Sequence, residues 1–143
     1  MKTFRTEVSI NAPQERVWSV LADFGKYRSW NPFLRRISGR QAFNEKLRIT
    51  VKLPSFPSVR IEARIDTLVY GEKIGWHAVF FKGLLNARHW FELHQVDSHT
   101  TLLIHTEEFT GLFSGLVLDT LSGAFCKGYA RMNHALKHES EKG

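Results

Sequence analysis

The sequence predicts an α+β fold, a curved antiparallel sheet gripping one long C-terminal helix, with two short helices after the first strand. Three observations predict it. Apolar residues alternate with period two from Phe4 to Ile10, and again in successive segments from Leu47 to Phe109. Turn signals, with no helical pattern, separate those later segments, so they form an antiparallel meander. The period then becomes helical: Leu118, Leu121, Phe125, Tyr129, Met132 and Leu136 make one apolar stripe.

In the first strand Phe4, Thr6, Val8 and Ile10 share one face, and Arg5, Glu7 and Ser9 the other. Pro13 fits the first turn of a helix because its missing N–H would be unpaired there. Val17, Val20, Leu21 and Phe24 continue at helical spacing to Gly25. Tyr27 to Trp30 forms a second short helical piece, and Asn31-Pro32 breaks it. Leu47, Ile49, Val51 and Leu53 then face one way, and Lys46, Arg48, Thr50 and Lys52 the other. After a turn at Pro54 and Pro57, Val59, Ile61, Ala63 and Ile65 alternate with Arg60, Glu62, Arg64 and Asp66. Gly71 and Gly83 bound a strand carrying Ile74, Trp76, Ala78 and Phe80. Two more strands follow, over Ala87 to Val96 and Thr100 to Phe109. The last helix is expected from about Leu116 to about Lys137, about 30 Å long at 1.5 Å per residue. Gly123 and Gly128 lie within it, either tolerated or allowing close approach of the sheet or a ligand.

The 143 residues are 43% hydrophobic and 13% aromatic, enough apolar material to exclude global disorder. With 11 Phe and 4 Trp, the chain either packs tightly or surrounds a hollow. The net charge is +6. Basic residues do not gather into a block of five, so no nucleic-acid arm is indicated. The single cysteine, Cys126, excludes an intrachain disulfide and a Cys-based zinc site, and is expected as a small buried residue of the last helix. The N-terminus shows no stretch of signal-peptide length, so a soluble protein of a reducing cytosol is expected. No Ser-His-Asp spacing, phosphate-binding glycine loop or His-Glu-x-x-His motif is present.

Several separated motifs carry a family resemblance. They are Ile10-Asn11-Ala12-Pro13-Gln14-Glu15-Arg16-Val17-Trp18, Tyr27-Arg28-Ser29-Trp30-Asn31-Pro32-Phe33, Ile74-Gly75-Trp76, His89-Trp90-Phe91-Glu92-Leu93, and the run from His105 to Phe113. In this order they resemble the START-related SRPBCC superfamily, especially its polyketide cyclase/dehydrase and lipid-transport branch. The resemblance implies a helix-grip fold, with residues 1–143 as one START-like ligand-binding domain around a hydrophobic cavity. It implies no cofactor and no metal. The expected partner is an apolar small molecule or a lipid, with no nucleic acid. Transient membrane contact and a monomer or homodimer stay open.

Strand alternation assigns the inward face. Phe91 and Leu93 point inward, and His89 with them. On the following strand the family pattern favours Leu103, His105, Glu107 and Phe109 inside. A turn at Asp97-Ser98-His99 pairs Val96 with Thr100, which sets Leu93 opposite Leu103, Phe91 opposite His105, and His89 opposite Glu107. Two imidazoles and a carboxylate then meet on an apolar face. They form a self-satisfied polar cluster, a ligand-orienting or proton-transferring site, or, least in keeping with the resemblance, a metal site. His89, His105 and Glu107 are thus the catalytic candidates. Trp30, Trp76, Phe91, Leu103 and Phe109, with Phe113, Phe125 and Tyr129, join them as candidate ligand-binding residues. Trp30-Asn31-Pro32 also reads as a structural corner. Function is open between binding of an apolar molecule, an acid–base cyclase or aromatase, and an interaction module using the basic surface on a membrane or partner protein.

Overall fold

A computed structural model describes residues 1–142. In chain order it has β1 (Lys2–Ile10), α1 (Gln14–Ala22), a 3-10 turn (Phe24–Lys26), α2 (Tyr27–Trp30), β2 (Leu34–Ser38), β3 (Lys46–Val51), β4 (Val59–Val69), β5 (Lys73–Phe80), β6 (Leu85–Asp97), β7 (Thr100–Thr110) and α3 (Ser114–Glu141). The strands form one seven-stranded sheet in the order β1-β7-β6-β5-β4-β3-β2. All neighbours are antiparallel: β2 to β7 are a meander, and β1 returns to pair with β7. The sheet curls around α3 in a helix-grip arrangement.

The alternation places the strands. Leu47, Ile49, Ala63, Ile65, Ile74, Trp76, Ala78, Phe91, Leu93 and Leu103 are all buried on the inward face. Trp90 points outward, where the Arg88 guanidinium lies 4.9 Å above its ring. Gly75 faces it across β5 and β6, and a Cβ there would come within 2.6 Å of Trp90 Cβ. That position therefore excludes a side chain.

Helix α3 buries Leu118, Tyr129, Met132 and Leu136 against the sheet. Burying each such side chain contributes about 1.5–3 kcal/mol, which outweighs the cost of up to about 1 kcal/mol for each glycine in the helix. The two central glycines differ. A Cβ on Gly128 would lie 2.8 Å from Phe33 Cδ1, so this glycine lets α3 seat on Phe33, whereas Gly123 faces open space.

Some expectations need correction. Helix α3 begins two residues before Leu116 and runs four past Lys137. Pro13 precedes α1 in an extended conformation, and its carbonyl accepts the Arg16 and Val17 N–H groups. Cys126 is exposed, because it lies one position off the apolar stripe. The β6–β7 hairpin closes through a shorter turn: Asp97 pairs with Thr100, and Val96 bulges out of the ladder. A two-residue turn alone would set inward residues opposite outward ones. The bulge restores the even register, so the pairs His89–Glu107, Phe91–His105 and Leu93–Leu103 form as expected.

Candidate functional site

A cavity of about 350 Å³ lies between the inward face of the sheet and α3. Its wall combines Ile49 and Val51 of β3, Ile61 of β4, Trp76 and Ala78 of β5, Phe109 of β7, and Val117, Leu121 and Phe125 of α3. Among the described residues, the only ionisable ones in its wall are His89 and Glu107. Phe56, Val59 and Phe81, all exposed, stand at its rim.

Of the residues singled out from sequence, Trp76, His89, Glu107, Phe109 and Phe125 line this cavity. Six lie off its wall. Phe91 sits behind the site with its ring 4.3 Å from that of His105, and Leu103 is fully buried two positions further along β7. His105 and Tyr129 stand behind Glu107 and His89 as their partners. Trp30 packs on Tyr27 at 5.0 Å, and Phe113 on Phe81 at 5.8 Å. Strand period reports which face a side chain takes, but not how far along the strand the cavity reaches. The Trp30-Asn31-Pro32 corner is held by Asn31 Oδ1, which accepts the Phe33 and Leu34 N–H groups at 2.9 Å each.

The polar residues form a connected chain. Tyr129 OH donates to Glu107 Oε1 at 2.6 Å. Glu107 Oε2 lies 3.7 Å from His89 Nδ1, beyond hydrogen-bond length. His89 Nε2 meets His105 Nε2 at 2.5 Å, and His105 Nδ1 meets Asn133 Oδ1 at 2.6 Å. Asn133 Nδ2 donates to Thr6 Oγ1, whose hydroxyl donates to the His105 carbonyl. The partners fix the tautomers. Because Asn133 presents its oxygen, His105 carries its proton on Nδ1. Its Nε2 then accepts from His89 Nε2–H, which leaves the His89 Nδ1 lone pair facing Glu107.

Electrostatics agree with that assignment. Burial, and then the neighbouring His105, hold His89 well below its ordinary pKa. Burial also lowers His105 to about 4, opposed by its bond with Asn133. Burial pushes Glu107 up to about 7, against the Tyr129 hydrogen bond, which favours the ionised form. Burial and the Glu107 charge raise the Tyr129 phenol. Both imidazoles are thus neutral at pH 7, and the carboxyl is poised to hold or release a proton into the cavity. The two imidazoles bond each other through the nitrogens a shared metal would need. Among the described residues no group of three or more His, Cys, Asp or Glu has metal-holding geometry.

Asn133 and Thr6 are members that sequence reasoning did not single out. The available signal was spacing: Asn133 is four residues after Tyr129, on the side of α3 that faces the sheet.

The fold and this cavity define a START-related helix-grip protein. The chain belongs to the polyketide cyclase/dehydrase and lipid-transport family, whose profile matches residues 1–141. Solved structures agree at the level of fold. The aromatase/cyclase Zhui from Streptomyces sp. R1128 matches with a TM-score of 0.81 at 17% identity, covering 99% of this chain and 94% of that one. Norcoclaurine synthase from Thalictrum flavum, in complex with dopamine and hydroxybenzaldehyde, matches with a TM-score of 0.71 at 11% identity, covering 96% and 84%. The di-domain aromatase/cyclase BexL matches with a TM-score of 0.74 at 12% identity, covering 96% of this chain and 47% of that one. A search of curated proteins finds no significant match. Among the described residues no helix is long and apolar enough to cross a membrane.

Proposed function

We propose that the protein binds an apolar, ring-bearing small molecule in the cavity between sheet and α3, with one polar group of that molecule against Glu107. The observation that carries this reading is the cavity wall: aliphatic and aromatic side chains, with His89 and Glu107 the ionisable groups among its described residues. Such a wall suits burial of apolar surface, and one polar spot fixes orientation. A volume of about 350 Å³ suits a molecule of one to three rings better than a long-chain lipid. The related fold holding dopamine and hydroxybenzaldehyde supports that size class. The working compartment is the cytoplasm.

A specific observation also favours an enzymatic reading. A carboxyl with a pKa of about 7 at the wall of an apolar cavity suits general acid–base catalysis near neutral pH. Glu107 would be the group that exchanges a proton with a bound carbonyl or hydroxyl. His89 and His105, neutral and hydrogen-bonded, would hold the carboxyl's surroundings in one arrangement.

Native mass spectrometry after mild purification, followed by titration with a panel of aromatic ketones and phenols, tests the reading. Wild type retains or takes up one such molecule. Leu121→Trp fills the cavity from α3 and abolishes uptake while keeping the melting temperature. A protein that stays empty against the panel, or a Leu121→Trp variant that binds like wild type, overturns the proposal. Turnover lost in Glu107→Gln with binding retained would select the enzymatic reading.

A further inference from the structure

A second pocket, of about 640 Å³, shares Ile49 and Ile61 with the apolar cavity and is otherwise lined by Arg28, Arg36, Arg48 and Arg60, with Ser38 and Thr50 among them. Arg36 and Arg48 precede the buried Ile37 and Ile49, and Arg60 precedes the half-buried Ile61, so the three arginines point to the outer side of β2, β3 and β4. Arg36 is opposite Thr50, Thr50 is opposite Arg60, and Arg48 sits between Ser38 and Glu62. Arg48 is thus one diagonal step from both Arg36 and Arg60, where Cβ atoms are about 7–8 Å apart. Arg28 of α2 adds a fourth guanidinium.

These four differ from most other arginines of the chain. Arg5, Arg40 and Arg88 pair with carboxylates, and Arg16, Arg35 and Arg64 donate to carbonyls. Among the described residues, the four arginines of this pocket have neither kind of partner. The one carboxylate in the lining, Glu62, lies 3.4 Å from Lys46. Like charges at neighbouring positions of adjacent strands destabilise a sheet, and an anion held between them removes that cost. Guanidinium groups match phosphate oxygens in paired geometry, and hydroxyls add further donors.

We propose that this pocket binds a soluble small molecule carrying at least two phosphate groups. The cavity size lies within the range of ligand sites. The charges converge on one concavity instead of running as a stripe, which separates it from a nucleic-acid track. Its apolar members Phe24, Ile37 and Ile49 are buried and Ile61 is half-buried, so the pocket has no exposed apolar rim to enter a lipid surface. The four arginines line this pocket and not the apolar cavity, so the site stands whether or not that cavity binds a ring.

Calorimetric titration with sodium tripolyphosphate and with ATP, at low and at physiological salt, tests the proposal. Wild type binds one tripolyphosphate with an affinity that falls as salt rises, and its melting temperature climbs with ligand concentration. The exposed double variant Arg48→Gln/Arg60→Gln loses roughly tenfold or more in affinity while its ligand-free melting temperature is unchanged or higher. Arg36→Gln gives a smaller loss in the same direction, and Arg131→Gln, on α3 and outside the pocket, gives none. Equal affinity in wild type and the double variant overturns the proposal, as does an equal loss in Arg131→Gln. So does adsorption to anionic vesicles that the double variant abolishes while neither polyphosphate binds, which would assign the arginines to a lipid surface.

Discussion

Replacing Glu107 by glutamine stabilises the protein above neutrality and leaves it nearly unchanged near pH 4.5. Burial raises this carboxyl from an ordinary 4.5 to about 7 in the folded state. Between those values the folded protein holds a proton that the unfolded chain has released. Folding stability therefore falls as pH rises through that window and stays low above it. At about 1.4 kcal/mol per pH unit, the loss reaches about 3 kcal/mol by pH 8. Glutamine keeps the pattern of the protonated acid: its oxygen accepts from Tyr129 and its amide can face the His89 Nδ1 lone pair. His105 works in the opposite sense, because its folded pKa is lowered to about 4 and the unfolded imidazole takes a proton below 6.5. That part of stability is lost as pH falls, so wild type alone shows two opposing trends. The difference between Glu107→Gln and wild type isolates the carboxyl. Urea denaturation at half-unit steps from pH 4.5 to 8.5 should give a difference near zero at the acid end and about 3 kcal/mol at the alkaline end. Parallel curves across the range would refute the assignment of a raised pKa to Glu107.

Asn133→Leu removes the acceptor of the buried His105 Nδ1–H, while Thr6 keeps its bond to the His105 carbonyl, and the stranded imidazole N–H should cost about 1–3 kcal/mol, read as a lowered urea midpoint with unchanged slope. Gly128→Ala should destabilise by about 1–3 kcal/mol because its Cβ meets Phe33. Gly123→Ala, pointing into open space on the same helix, should stabilise by about 0.5–1 kcal/mol, and thermal melts with shifts of the same sign would contradict the two placements. Cys126 should react at once with a thiol reagent in the native protein, and protection until unfolding would contradict its exposure.

The pairing of His89 with Glu107 was legible because both strands alternate cleanly and one face is apolar. Even the unforeseen bulge at Val96 kept the register that the alternation requires. Asn133 was not legible, since a polar residue beside an apolar helical stripe also reads as surface, and only the fold puts it against His105. The depth of the cavity was hidden for a similar reason. Phe91 and Leu103 share the inward face with Trp76 and Phe109, yet where α3 crosses the sheet decides which of them meet open space. Arg48 and Arg60 were visible on the outward faces of their strands, whereas Arg36 lies on β2, a strand the alternation did not mark. Their convergence on a pocket depends on how the sheet curls and on where α2 leaves Arg28, neither of which is encoded in strand period.

The bulge at Val96 has a consequence for how this chain tolerates changes of length. His89 is eight residues from Asp97, about 26 Å along the strand at 3.3 Å per residue. Strand β7 is held on its other side by β1, and β6 by β5. An insertion or deletion of one residue at the hairpin tip therefore cannot be absorbed by sliding either strand. It is absorbed at the tip, by a longer or shorter loop or by adding or losing a bulge. A loop graft or tag placed at Ser98 and His99 should thus leave the pairing of His89 with Glu107 unchanged whatever its length.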